Sequence, residues 1–427
     1  MTGPATPLAR RIATATLCLS AALALASCGN SSSAGDSSAG SGSSTGNTAL
    51  GPAKPATGSP LKIGYITDGK SSTIDFSALQ QTAEAAVKYV NEHLGGVAGH
   101  PISLDICKTQ QNPATATECA NQMVKDGVPV VLNDLSGVGP SIVPTIAKAK
   151  IPYLTFSGTT TPELTTPGVY SMTGSIASFL GGLAAYSKQE GVKKVAVIGM
   201  NIPAVIQGVD SIGKAAFAKA GVAMTMVPVD PGTADLSPQI GTAVADHADA
   251  LLVFGDPAIC AGALKAAQSL GFSGKRYVVA QCVNKASATS IPGGWGGVIV
   301  SAISDLSSSD KEYQLYKAVL EQYSPKTAAA NVADSGAVEG YGAVLGFARI
   351  MANVASGEVT PSVVAAAITH AKDVTLPVGG GLTFSCDGKA VPGLPGICSV
   401  GAQITTLAAD GTPTTYSPID ASSLFTK

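Results

Sequence analysis

The sequence predicts an α/β protein whose folded body is two doubly wound lobes in series. Three observations lead there. Short apolar runs of strand character alternate with stretches whose apolar residues recur at helical spacing, the pattern of a parallel sheet covered on both faces. The alternation runs once from Leu61 and starts again at Val195. A chain of 427 residues, less a leader, also has the length of two ordinary domains.

The first lobe opens with a strand at residues 61–66 and a polar loop at 67–75. A helix follows in which Ala83, Ala86, Val87, Val90 and Leu94 share one face, and Gly95-Gly96 stops it. A strand at 102–106 precedes a helix that starts after Asn112, with Pro113 suited to its first position, and ends near Asp126-Gly127. The next strand is predicted at 128–132, then a loop at 133–140, a helix at 142–149 and a strand at 153–156. In the second lobe, strands are predicted at 195–198, 223–229, 250–254 and 276–280, with helices at 207–220 and 258–270. Helices near 312–323 and 337–355 read as additions to the first lobe. Residues 375–416, rich in Gly and Thr, read as strands and loops.

The first sixty residues have a different character. Arg10 and Arg11 precede an apolar stretch at 12–26, and no acidic residue occurs before Asp36. That stretch is too short for a comfortable membrane span of roughly 20 apolar residues, and fits a secretory signal at 1–27. It meets Leu25-Ala26-Ser27-Cys28, which resembles the lipobox of bacterial lipoproteins. The resemblance implies a lipid on Cys28; an ordinary signal cleaved near Ser27 is the alternative. Residues 28–60 are mainly Ser, Gly, Ala, Thr and Pro, a composition that does not repay its ordering entropy. They read as a disordered tether reaching about 30 Å as a coil.

With 26 basic and 28 acidic residues and no basic patch, the chain is not built for nucleic acid. Mean hydropathy is +0.29, yet Gly, Ser, Asp or Lys interrupts every apolar run after Ala26 before it reaches spanning length. Buried parallel strands and Ala-rich helices account for the value. Beyond Cys18 and Cys28 there are Cys107, Cys119, Cys260, Cys282, Cys386 and Cys398, an even set in an exported chain, which implies disulfides. Their spacing favours local pairs, Cys107–Cys119, Cys260–Cys282 and Cys386–Cys398, although sequence leaves the connectivity open. No Cys-x-x-Cys and no neighbouring His favours a metal site, and no cofactor is expected.

Catalytic patterns are sparse. His93, His100, His247 and His370 are scattered over helix ends and turns. Ser308-Ser309-Asp310-Lys311 matches Ser-x-x-Lys by letter but stands without companion motifs and reads as a helix cap. The runs Gly293-Gly294-Trp295-Gly296-Gly297 and Gly379-Gly380-Gly381 lack the Lys and helix of a phosphate loop. An enzyme is not expected.

Several stretches, in order, resemble the leucine/isoleucine/valine-binding branch of the type I periplasmic-binding proteins. They are Lys62-Ile63-Gly64; Ala86-Val87 through Gly95-Gly96-Val97-Ala98-Gly99; Ile151-Pro152-Tyr153; and Ser157-Gly158-Thr159-Thr160-Thr161-Pro162-Glu163-Leu164-Thr165. Residues 191–198 and 266–272, Glu339-Gly340-Tyr341, Gly381-Leu382-Thr383-Phe384 and Asp387-Gly388 complete the match. The resemblance implies two lobes joined by three hinge crossovers: 61–173 with 303–373, and 174–302 with 374–427. It also implies a lipid-anchored, extracytoplasmic, monomeric receptor of an ABC importer, with a small solute, a membrane permease and, through the anchor, the membrane as partners. Its solute would be an amino acid, an amide or an apolar or aromatic carboxylate. A lipoprotein sensor reporting to a separate membrane signalling partner is the alternative.

Carried over by position, Ser136, Ser157, Gly158 and Thr160 would hold the solute's carboxylate or equivalent polar head, with Phe76 and Tyr341 as cleft aromatics. Lobe two departs from the pattern. Asn201-Ile202-Pro203-Ala204, Gly255-Asp256-Pro257 and Gln281-Cys282 stand where the family carries Asp with Tyr-Gly, an aromatic, and a carboxylate. Asp256 supplies the missing carboxylate, caps the helix beginning at Pro257, or does both.

Overall fold

The first strand–helix alternation folds as β1 (Leu61–Thr67), α1 (Ser77–His93), β2 (Ile102–Lys108), α2 (Pro113–Lys125), β3 (Val131–Leu135), α3 (Gly139–Lys148), β4 (Tyr153–Ser157), the single turn α4 (Thr161–Thr165) and β5 (Val169–Thr173). The structure is a computed structural model that describes residues 48–71, 75–283, 285–331 and 335–426. The five strands are all parallel, in the order β2-β1-β3-β4-β5.

The second alternation gives α5 (Ile176–Gln189), β6 (Lys194–Met200), α6 (Pro203–Gly208) continued through a π turn into α7 (Lys214–Ala220), β7 (Ala223–Val229), α8 (Ser237–Ala245), β8 (Ala250–Phe254), α9 (Pro257–Ser269), β9 (Lys275–Val279) and β10 (Ile299–Ala302). The chain continues as α10 (Lys311–Tyr323), α11 (Pro325–Asn331), α12 (Val338–Met351) and α13 (Pro361–His370). It ends with the ribbon β11 (Val374–Thr375) and β12 (Thr383–Phe384), then β13 (Gly401–Leu407) and β14 (Pro413–Asp420). The second sheet has the order β14-β13-β10-β9-β8-β6-β7, antiparallel only at β13 and β14.

The late helices return to the first sheet, where α12 packs on α1, β3 and β4. Gly340 and Gly342 permit that approach, since an added Cβ would meet Leu79 O and the Phe156 ring. Three crossings join the lobes. Thr173 leaves β5 through Gly174-Ser175, with Ser175 held at φ 46°, a strained backbone for a residue with a side chain. Ser304-Asp305 leaves β10, and Asp305 N–H bonds Val378 O at 2.8 Å. Gly379-Gly380 lies beside that crossing, held by the Gln403 amide at Gly380 O, 3.1 Å. The described residues therefore form the two-lobed α/β architecture that the alternation predicts.

Several expectations need correction. The third strand is not 128–132 but runs on to Leu135, through Asn133 and Asp134, which were expected in a loop. These polar residues tolerate burial because both are bonded: Asn133 Nδ2 donates to Ile66 O at 2.7 Å, and Asp134 Oδ2 accepts from Tyr65 and Thr67. Part of the segment expected as a tether, residues 50–56, lies against the folded body. Leu50 is buried, and the N–H groups of Lys54 and Ala56 reach Glu92 O and Asn91 O at 2.8 Å each. Those are last-turn carbonyls of α1, which have no partner within their own helix. Cys28 and the signal lie outside the described residues. The cysteines pair as Cys107–Cys119, Cys260–Cys282 and Cys386–Cys398.

Candidate functional site

In open α/β sheets ligands sit outside the carboxyl ends of the strands. Two of the three crossings leave from such ends, after β5 and β10, so the hinge and the carboxyl edges of both sheets adjoin. In lobe one the relevant loops follow β1, β3 and β4.

These loops rest on three buried carboxylates. Asp68, just after β1, accepts the hydroxyls of Thr109 and Ser136 at 2.5 and 2.8 Å on Oδ1, and Gly137 N–H at 3.4 Å on Oδ2. Asp134 accepts Tyr65 and Thr67 hydroxyls at 2.7 Å each and Leu135 N–H at 2.6 Å. Glu163, in the turn of α4, accepts Tyr153 hydroxyl at 3.1 Å, Thr159 N–H at 3.1 Å, Thr160 N–H at 3.0 Å and Thr160 Oγ1 at 2.7 Å. Gly139, first in α3, lies so close that a Cβ there would meet Thr160 and the Glu163 carboxyl. The amino end of α3 therefore already faces an internal anion.

Burial pushes the Asp134 carboxyl up to about 6 from 3.8, against the pull of its Thr67, Leu135 and Tyr65 donors. Burial likewise raises Glu163, opposed chiefly by Thr160. Tyr65 and Tyr153 are raised well above the ordinary phenol range by burial and then by Asp134 and Glu163 respectively. Asp134 binds its proton more tightly in the folded state. Its contribution to stability is thus complete below about 3.8 and lost as pH rises through about 6. Urea unfolding between pH 4 and 7 should show a loss of about 3 kcal/mol from this group. The same titration of Asp134→Asn should lack that component.

The structure distributes the expected site residues unevenly. Ser136, Ser157, Gly158 and Thr160 do gather at the carboxyl edge of lobe one. Ser136 and Ser157 are buried, however, and both hydroxyls bond inward, Ser157 to Thr173 Oγ1 at 3.2 Å. Phe76 is half-buried at the start of α1. Tyr341 is not a cleft aromatic here: it is 0 % exposed in the core of lobe one, its ring centroid 5.0 Å from that of Tyr316 in an edge contact. Its place on α12, the helix packed between α1 and the sheet, accounts for this.

In lobe two, Asn201, Asp230, Asp256 and Gln281 are exposed after β6, β7, β8 and β9. Asn201 Nδ2 donates to Asp230 Oδ1 at 2.7 Å. Asp256 Oδ1 accepts Ala258 and Ile259 N–H at 2.9 Å each, so it is a helix cap. Asp256→Ala should lower stability by about 1 kcal/mol in urea unfolding, and Asp256→Ser should recover most of it.

Asp68, Asp134 and Glu163 were not among the expected site residues. Asp68 and Asp134 are signalled only by acids placed beside apolar strands, as in Val131-Leu132-Asn133-Asp134-Leu135, and Glu163 by the Thr-x-x-Glu spacing of a capping box that starts at Thr160. Among the described residues, no group of three His, Cys, Asp or Glu is placed to hold a metal, and no helix is long and apolar enough to cross a membrane.

A model of the family described as periplasmic binding protein matches residues 60–395. No curated protein matches the chain by sequence. Among similar solved structures is a putative branched-chain amino acid ABC transporter protein from Rhodospirillum rubrum: 18% identity, TM-score 0.69, covering 84% of this chain and 100% of that one. A branched-chain amino acid transporter substrate-binding protein from Streptococcus pneumoniae, in complex with isoleucine, has 16% identity and TM-score 0.63, covering 84% and 99%. A fatty acid ABC transporter substrate-binding protein from Thermomonospora curvata has 16% identity and TM-score 0.63, covering 86% and 93%.

Proposed function

Because the chain belongs to the periplasmic binding protein family, we propose that it is a lipid-anchored, extracytoplasmic receptor that captures a small solute for an ABC importer. The observation that carries this reading is the pair of sheets, parallel but for β13 and β14, whose carboxyl ends at β5 and β10 lead into crossings between the lobes. Such crossings let two rigid lobes close by changing a few backbone angles. Ser175, held at a left-handed φ, and the Gly379-Gly380 pair are the places where that change is most easily absorbed. The solved structures are named for branched-chain amino acids and for a fatty acid, which supports a small organic solute with an apolar part.

A thermal-shift screen over amino acids, amides, short acids, aromatics and sugars tests the reading. A solute bound only by the native state must raise the melting temperature, by an amount that grows with its concentration. Silence across the whole screen would remove the proposal.

Cys28 is the proposed anchor, with the Ser- and Gly-rich stretch behind it as the tether. Confinement to the membrane that holds the permease raises local concentration without any new contact. Cells expressing the natural chain should carry it in the membrane fraction, while Cys28→Ala should lose lipid labelling and leave that fraction. Unchanged labelling of the variant would exclude this anchor.

A further inference from the structure

The loop that turns the β11–β12 ribbon is strained. Val378, Gly380 and Gly381 have left-handed backbones, at φ 56°, 57° and 89°. Glycine adopts that region freely, but a β-branched residue does so only where its surroundings impose it. Val378 is also fully buried. The root of the ribbon is fixed to lobe one. There Arg349 Nη1 on α12 donates to Thr375 O at 3.1 Å, and Pro377 lies beside Gly346.

The tip of the ribbon reaches lobe two. Asp305 N–H, at the exit of β10, donates to Val378 O at 2.8 Å. Gly401, first in β13, has the Leu382 side chain in the place that a Cβ would need. Gln403, two residues further along β13, is wholly buried, and its Nε2 donates to both Gly379 O and Gly380 O, the second at 3.1 Å. A primary amide has two N–H donors, and here both go to successive carbonyls of the loop. Its Oε1 is buried with no hydrogen-bond partner among the described residues. Gly380 lies so close that a Cβ on it would meet Asp305 and the Gln403 amide.

One side chain of lobe two thus holds a loop that is rooted on lobe one. A rotation of one lobe against the other either breaks the Gln403 bonds or bends the loop that they hold. The strained Val378 and the orphaned Oε1 raise the free energy of the observed arrangement, while the two amide bonds lower it. Opposing contributions of similar size leave the contact close to balance.

We infer that Gln403 is the positioning residue of the hinge: its amide latches the ribbon tip to β13 and sets the balance between the observed lobe arrangement and a rotated one. This rests on the receptor reading above, since a latch matters only to lobes that move. Gln403 is buried, so it acts through Gly379 and Gly380 and not by touching the solute.

The test is single-molecule energy transfer on the full mature chain without solute, with dyes on azido side chains placed at the exposed positions Lys125 of α2 and Lys265 of α9. Gln403→Met keeps the reach of the side chain and removes both donors. The population away from the parent's main inter-lobe distance should grow about tenfold, the scale of one or two buried hydrogen bonds. Phe217→Ala, which opens a cavity in the core of lobe two, is the control. It should lower the melting temperature and leave the distance distribution as in the parent. An unchanged distribution in folded Gln403→Met, or an equal change in Phe217→Ala, overturns the latch and leaves the receptor reading intact. Should Gln403→Met fail to fold, Gly380→Ala carries the same expectation, because its added methyl would displace the tip. The receptor reading is judged on the parent in the same assay, where a solute of the thermal-shift screen should move the inter-lobe distance. If none does, that reading falls and the latch falls with it.

Discussion

Glu163→Ala is expected to lower the unfolding free energy by about 4 kcal/mol, the largest effect of any single truncation in the lobe-one loops. The carboxylate is wholly buried and receives the Tyr153 hydroxyl together with the N–H groups of Thr159 and Thr160 and the Thr160 hydroxyl. Removing it orphans those donors in a site with no room to re-solvate them, and each lost partner costs about 1 kcal/mol or more. Glu163→Gln keeps one oxygen where three of the donors converge, so it should cost less than half as much. Equilibrium urea unfolding separates the two. Equal losses for Ala and Gln would mean that the side chain's packing, rather than its hydrogen bonds, carries the effect.

Tyr341→Ala is expected to cost about 3 to 5 kcal/mol, as for other large aromatic truncations in a packed core. The ring is enclosed by α12, α1 and the Tyr316 edge contact, and the first sheet lies directly beneath. Tyr341→Phe makes the sharper comparison. The Tyr341 hydroxyl is buried and has no hydrogen-bond partner among the described residues. Deleting it should therefore be neutral or stabilising by up to about 1 kcal/mol, because an unsatisfied polar atom leaves the core. A marked loss on Tyr341→Phe would show that the hydroxyl has a partner after all. Solute affinity should be untouched by the Phe change if Tyr341 lies outside the cleft.

Much of the fold was legible because periodicity and caps report on local structure. The helix after Asn112 starts where Pro113 predicts, and Asn112 Oδ1 accepts Ala114 N–H at 2.9 Å. Asp310 caps α10 through Tyr313 N–H at 2.8 Å, as the polar run before it implied. Elements that rely on distant partners were not legible. Helix α5, which the strand–helix alternation left unmarked, has Gly181 and Gly182 at its centre. In the fold they let Phe425 and Ala402 approach the helix, where a Cβ would clash. Strand β3 hides its last residues behind Asn133 and Asp134, polar letters whose partners, Ile66 O, Tyr65 and Thr67, lie some 67 to 69 residues away.

The candidate site divides in the same way. The loop residues 157–165 and Ser136 were expected from the family resemblance, and the structure places them at the carboxyl edge of lobe one. Which way their protons point was not readable. That depends on Asp68 and Glu163 meeting them in space, and a hydroxyl in a motif looks the same whether it donates outward or inward. Tyr341, expected at the cleft from the resemblance alone, is buried because α12 lies against α1 and its ring meets Tyr316.

The central claim is that two rigid lobes close around a solute, and small-angle X-ray scattering of the mature chain tests it most directly. With a solute that raises the melting temperature, the radius of gyration should fall on saturation and return when the solute is dialysed away. A solute that binds tightly while the scattering curve stays unchanged would contradict the account.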